Sequence, residues 1–237
     1  MTSPSTPPPG CPMHQKSSTS QSSPTENDQS SCPFHYGDAL NPSNQIPANL
    51  AQQPAPGQRI ELPTERSISS IPKSNSEEKW EYPSPQQFYN ALRRKGWETP
   101  EEHVETMVDI HNFLNEEAWS EVLKWEKMHE CECAQGPTLL RFRGRPQDLS
   151  PKARLLGLFY GTPRPFDRHD WTVDRCGKEV RYVIDYYEAP EEQPGVPVFH
   201  LDVRPAVDNM ESLCDRVKVA SKEFWARVWS TSQQKNA

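Results

Sequence analysis

Hydrophobic residues are sparse and without period through residues 1 to about 58, where turn-forming and polar residues dominate. From Arg59 to Lys73 the chain gains Ile60, Leu62, Ile68 and Ile71, spaced by prolines, a pattern that predicts an extended strap rather than a helix. Ser84-Pro85 then supplies a serine cap with proline at the first helical position, and the helix it opens runs through Phe88, Ala91 and Leu92 to Gly96. Thr99-Pro100-Glu101-Glu102 repeats that start signal. The helix that follows places Val104, Met107, Val108, His111 and Leu114 on one face, at spacings of three and four. Asn115 is expected to cap a further helix from Glu116 to His129, with Trp119, Val122, Leu123 and either Trp125 or Glu126 as its buried stripe.

The second half changes rhythm. Leu139 to Arg143 predicts a short strand, and Ser150-Pro151 opens a helix through Leu155, Leu156 and Phe159 that Gly161 ends. Asp170 to Arg175 and Glu179 to Tyr187 alternate around Cys176-Gly177, which predicts a hairpin. Val198 to Val203 adds a strand stopped by Pro205, and a last amphipathic helix carries Val207, Met210, Leu213, Val217, Phe224, Trp225 and Val228. The expected class is α+β, helices packed on a small antiparallel sheet and preceded by a disordered Pro/Ser-rich leader.

Composition sharpens the division. Hydrophobic residues make up 33% of the chain, too few for 237 residues of packed globule. About half of the 25 prolines fall before residue 64, whereas the tryptophans begin at Trp80. The division is therefore a leader over 1–58, a strap over 59–79, a compact domain over 80–230 and a tail over 231–237. A net charge of −7 with no basic stripe argues against nucleic acid and against simple electrostatic binding to acidic lipid. No apolar run approaches the roughly 20 residues that span a bilayer. No secretory signal is visible, and with no arginine before Arg59 a cleavable mitochondrial presequence is not expected.

The six cysteines, at 11, 32, 131, 133, 176 and 214, form no recognisable framework. The absence of CxxC excludes a zinc ribbon and a thioredoxin site, and the absence of CxxCH means that the chain is not itself a c-type cytochrome. Cys131-Glu132-Cys133 lacks the further ligands that a metal site needs. No histidine beside Cys176 would make it a nucleophile. Cys11-Pro12-Met13-His14 and Cys32-Pro33-Phe34-His35 are near-copies. Proline keeps each cysteine out of a helix and able to meet a soft or ferric metal, although a cysteine merely tolerated in a tail fits as well.

Three histidines invite chemistry. A histidine on an apolar helix face is commonly a satisfied core residue, but His111, with Asn112 beside it, lies near Phe113, Trp119 and Trp125. Neutral imidazole with large flat side chains is what a haem requires. His169 sits in Pro165-Phe166-Asp167-Arg168-His169-Asp170-Trp171, where either aspartate could orient it, or where it forms a polar turn before a strand. His200, Asp202 and Arg204 share one side of a strand, as an ion-pair ladder or a propionate-binding edge.

Six ordered segments carry a resemblance: Leu62 to Lys73, Trp80 to Ala91, Val108 to Glu116, Pro165 to Trp171, Glu179 to Tyr187 and Leu201 to Ala206. Together they resemble the holocytochrome c synthases (cytochrome c-type haem lyases), a family with enzymes for cytochrome c, for cytochrome c1 and for both, and the motifs lean towards the c1 type. The resemblance implies a lyase that attaches haem b, its substrate, to the CxxCH cysteines of apocytochrome c and/or c1. It places the enzyme on the intermembrane-space side of the mitochondrial inner membrane, in peripheral contact with it. It makes His111 the catalytic residue and axial ligand of the haem iron, and His169 a second haem contact. It casts Cys11 and Cys32 as haem-regulatory. Glu116 and Arg175 are expected to support the site. Trp119, Trp80 and Tyr82 are expected to pack the haem or hold the strap, and Arg168, Arg181 and Arg204 to meet the propionates. A haem-binding chaperone or sensor without catalysis is the alternative.

Overall fold

The computed structural model describes residues 41, 43–44, 51–129, 136–190 and 197–234, with side chains to residue 226. The element order is β1 (Ile68–Pro72), β2 (Lys79–Glu81), α1 (Pro85–Arg94), a single 3-10 turn (Glu101–His103), α2 (Val104–Glu126), β3 (Thr138–Gly144), α3 (Pro151–Tyr160), β4 (Asp167–Arg175), β5 (Lys178–Ala189), β6 (Val198–Pro205) and α4 (Met210–Gln234). The expected α+β class is what the chain adopts. It divides into two compact units, one built from residue 41 and the described residues of 45–67 and 81–112, the other from those of 42–44, 68–80 and 113–237.

In the first unit, Ser84 caps α1 in a reciprocal capping box: its hydroxyl accepts from the Gln87 N–H and the Gln87 side chain accepts from the Ser84 N–H. The apolar centre is Ala55, Leu62, Tyr89 and Val104, with Phe88 against it. Residues 51–58, which composition groups with the leader, make defined contacts here. Asn90, buried in α1, donates to the carbonyls of Ala51 (2.8 Å) and Gln53 (3.0 Å), and Gln58 and Gln86 bond each other. Glu101 then accepts from the N–H groups of Arg59 (2.8 Å) and Ile60 (2.7 Å), which holds its carboxyl below the usual carboxylate range, the Ile60 bond contributing most.

The second unit holds a four-stranded sheet in the order β3-β4-β5-β6, every neighbour antiparallel. The β4–β5 hairpin turns on Cys176 and Gly177, both at positive φ (52° and 87°), the geometry of a two-residue primed turn. Gly177 N–H also donates to Asp174 Oδ1 at 2.7 Å. Successive strand residues point to opposite faces, so register sorts the side chains. One face carries Trp171, Val173, Tyr182, Ile184 and Val203, all buried, and Trp125 of α2 donates its indole N–H to the Val203 carbonyl (2.8 Å). On the other face lie Arg168, Asp170, Arg181, Asp185, Asp202 and Arg204.

Two expectations are corrected. Asn115 caps no helix, because the two helices expected over 104–129 form one, α2. The apolar stripe runs on through Leu114, Ala118, Trp119 and Val122, all buried, and one asparagine inside a long helix costs well under ~1 kcal/mol. One cysteine also differs from expectation: Cys176 is disulfide-bonded, whereas Cys214 is a free, exposed thiol. Among the described residues, no helix is long and apolar enough to cross a membrane.

Candidate functional site

His111 lies inside α2 in the first unit, where its carbonyl-bonding atom is settled by chemistry. Met107 O, one turn back, sits 2.7 Å from Nδ1, and since a carbonyl only accepts, Nδ1 carries the proton. When the ring is neutral, its lone pair is then on Nε2. Phe88, on α1, meets the imidazole edge-on with ring centroids 5.0 Å apart. Phe113, the aromatic that sequence proximity singles out, is instead 62% exposed. Asn112 donates from Nδ2 to Ser67 Oγ (3.2 Å), while its carbonyl accepts from Tyr82 OH (3.5 Å), so Asn112 and Tyr82 hold the strap in this unit.

In the second unit Glu116 fastens β1. It accepts from Ser69 Oγ (2.6 Å), from Ser70 N–H (3.1 Å) and from Ser70 Oγ. Trp80 donates its indole N–H to Leu139 O (3.1 Å) and meets Phe142 edge-on, so it too ties strap to sheet. Trp119 is buried.

His169, on β4, is held through both ring nitrogens: Nε2 lies 3.1 Å from Asp167 Oδ2, and Tyr186 OH lies 3.4 Å from Nδ1. The carboxylate calls for a proton on Nε2, and Nδ1 then accepts from the tyrosine. Gly144 leaves room beside the ring, since a Cβ there would stand 3.8 Å from Cδ2 and Nε2.

Arg168, Arg181 and Arg204 occupy the sheet face opposite His169, each matched to carboxylates. Asp170 receives Arg168, Arg181 and Arg145, Arg181 also grips Asp208 through two bonds of 2.7 Å, and Arg204 reaches Asp185 at 2.6 Å. The Asp208 hydrogen bond raises the pKa of Arg181, which in turn lowers that of Asp208. Burial, reinforced by Asp185, pushes Tyr187 up to about 12. Arg204 also lies 3.1 Å from Asp202, which pairs Lys152 (2.7 Å). His200 stands at the exposed end of that strand.

Arg175 turns to the α2 side and binds Glu126, whose carboxylate also accepts from Tyr182 OH. Burial lowers the guanidinium pKa, and the bonds to Glu126 outweigh it, leaving it raised. Burial and Glu126 together drive the Tyr182 hydroxyl strongly upward. Sequence reading missed Phe88, Glu126 and Tyr182, because each depends on a partner distant along the chain. Among the described residues no group of three or more His, Cys, Asp or Glu side chains could hold a metal ion. Cys11 and Cys32 lie outside the described residues.

Comparison with known proteins decides the family. The sequence model for the "Cytochrome c/c1 heme lyase" family matches residues 1–220. The chain belongs to that family. It is thus a lyase of the group that joins haem to cytochromes c and c1. Among its relatives, the holocytochrome-c synthase of Saccharomyces cerevisiae is 49% identical over 234 residues, covering 88% of this chain and 84% of its own. The holocytochrome c-type synthase of Homo sapiens is 43% identical, covering 90% of each chain. A putative holocytochrome-c1 synthase of Schizosaccharomyces pombe is 51% identical over a shorter stretch, 61% of this chain and 68% of its own. No solved structure matches this heme lyase.

Proposed function

We propose that this lyase attaches haem b to apocytochrome c and/or c1 through thioether bonds to the two cysteines of a CxxCH segment, with His111 as its axial ligand to the haem iron. The Nδ1 bond of His111 to the Met107 carbonyl carries the reading, because it fixes the tautomer and orients Nε2 as the ligating atom. Phe88 adds an apolar wall beside the imidazole. Each thioether forms when a thiol S–H adds across a vinyl C=C, with the proton passing to the vinyl carbon, so no electrons are exchanged with an outside partner. The task is chiefly to hold thiols and vinyl carbons together, and a ring fixed by its axial ligand does that. The CxxCH histidine takes the other axial position, and product leaves as the bond from His111 weakens.

His169, tied to Asp167 and Tyr186, serves as a polar contact to the bound haem rather than as a second ligand. Cys11 and Cys32 act in haem regulation, outside the bond-forming step. The enzyme works on the intermembrane-space side of the mitochondrial inner membrane, in peripheral contact with it.

Co-expression with apocytochrome c and with apocytochrome c1, in a bacterium lacking its own maturation pathway, tests the proposal. Covalent haem on either cytochrome after denaturing electrophoresis is the expected result. Haem that co-purifies with this chain but never becomes covalent would make it a chaperone, and no haem at all would refute the assignment.

A further inference from the structure

Arg168, Arg181 and Arg204 are matched to carboxylates within the chain, whereas Arg154 on α3 forms no ion pair among the described residues. We infer that the outer face of α3 docks on an anionic lipid surface and is the element through which this protein meets a membrane, an inference that rests on the peripheral contact proposed above. The helix is fastened through its first turn. Ser150 caps it and shares Asp185 with Arg204, Lys152 pairs with Asp202, and Ala153 is buried. Beyond that turn Leu156 is half-buried and every other residue through Tyr160 is exposed.

Leu155, Leu158 and Phe159, at i, i+3 and i+4, form one stripe, 56%, 76% and 71% exposed, and Tyr160 at the tip is 80% exposed. Apolar side chains this close together are costly in water unless something covers them. At ten residues the helix is too short to span a bilayer, and its length and aromatic tip suit the headgroup boundary.

Charge selects the occupant. Between Leu149 and Phe166 the chain has Lys152, Arg154 and Arg164 and no acidic residue, against a net −7 for the whole protein. Arg154 and Arg164 are exposed and form no ion pair among the described residues. A second copy seated on this stripe by a two-fold axis would bring like charges together, whereas an anionic bilayer meets both the cations and the apolar stripe. The exposed stripe of α4 (Leu213, Val217, Phe224) lacks this bias, since Lys218, Lys222 and Glu223 mix both signs along it.

The test uses the full chain and two vesicle preparations, phosphatidylcholine alone and phosphatidylcholine with added phosphatidylglycerol, in a flotation assay. Wild type is expected to float with the anionic vesicles and to be released by high salt. Leu158→Ser with Phe159→Ser should weaken binding ~10-fold or more, and Arg154→Gln with Arg164→Gln by a factor of about 5 per charge. Near-UV circular dichroism and the unfolding midpoint should match wild type, because all four side chains face solvent. Wild-type flotation that the variants retain would overturn the role of α3 while leaving membrane contact standing elsewhere. Failure of wild type to float with either vesicle would sink both. Equal flotation with neutral vesicles would overturn the anionic selection. A wild-type dimer that Leu158→Ser/Phe159→Ser makes monomeric, without lipid binding, would reassign the face to a second copy. Covalent haem on a co-expressed apocytochrome, scored separately, shows whether the lyase reading survives each result.

Discussion

Arg175 grips Glu126 with two prongs, Nε to Oε2 at 2.6 Å and an NH2 nitrogen to Oε1 at 2.9 Å, and both side chains are less than a tenth exposed. The pair joins β4 to the end of α2, and Tyr182 shares the carboxylate from the neighbouring strand. Removing the cation leaves a buried, uncompensated charge. Arg175→Ala should therefore destabilise the protein by about 3–5 kcal/mol, measured by urea unfolding. Arg175→Ala with Glu126→Gln should recover part of that loss, and full additivity of the two changes would mean that the residues are not coupled.

His111→Ala should abolish both co-purifying haem and covalent product, since the carbonyl of Met107 and the ring of Phe88 supply no replacement ligand. Absorbance of the purified variant and haem staining of the co-expressed apocytochrome check this. His111→Ala that still delivers normal holocytochrome would remove the residue from the mechanism. Its unfolding midpoint should stay close to wild type, because the ring is only half-buried.

Glu116→Ala should free β1 from α2, leaving Ser69 and the Ser70 N–H without their acceptor, at a cost of about 1–3 kcal/mol. The expected readout is earlier proteolytic cutting around Ser67 to Pro72. Glu116→Gln keeps one carbonyl oxygen and should cut later than the alanine variant. Identical digestion of all three proteins would show that the strap is held by other contacts.

Acid should loosen Glu101 from the chain that it clasps. Its folded pKa is depressed, first by the Ile60 N–H and then by that of Arg59, so its contribution is present above the unfolded value of about 4.3 and is lost as pH falls through the lower folded value. Hydrogen exchange at Arg59 and Ile60, corrected for intrinsic rates, should accelerate below about pH 4 in wild type. In Glu101→Gln it should be fast already at neutral pH.

Serine followed by proline located the starts of α1 and α3, because the hydroxyl cap and the fixed φ of proline act within a few residues. Cys176-Gly177 marked the hairpin for the same local reason, although a cysteine at positive φ is uncommon. Asn115 misled because capping chemistry is only half of a helix boundary: the stripe from Leu114 to Val122 outweighs it. The helical, apolar setting of His111 was legible, but the ring that meets it was not, since Phe88 lies on another helix. The arginines were visible as types on alternating strands. Their partners follow from strand register, which brings Asp170 and Asp185 beside them and which no local pattern encodes.

The alternation along β4 also acts as a reading frame. His169 and Trp171 share one face, Arg168 and Asp170 the other, and β5 matches both sets residue for residue. Loss or gain of one residue in β4 would send the arginine and its aspartate into the apolar layer and His169 out among the charges. Changes of length are tolerable in the connections between strands, whereas within β4 the histidine can stay opposite Ile184 only while the count before it is kept.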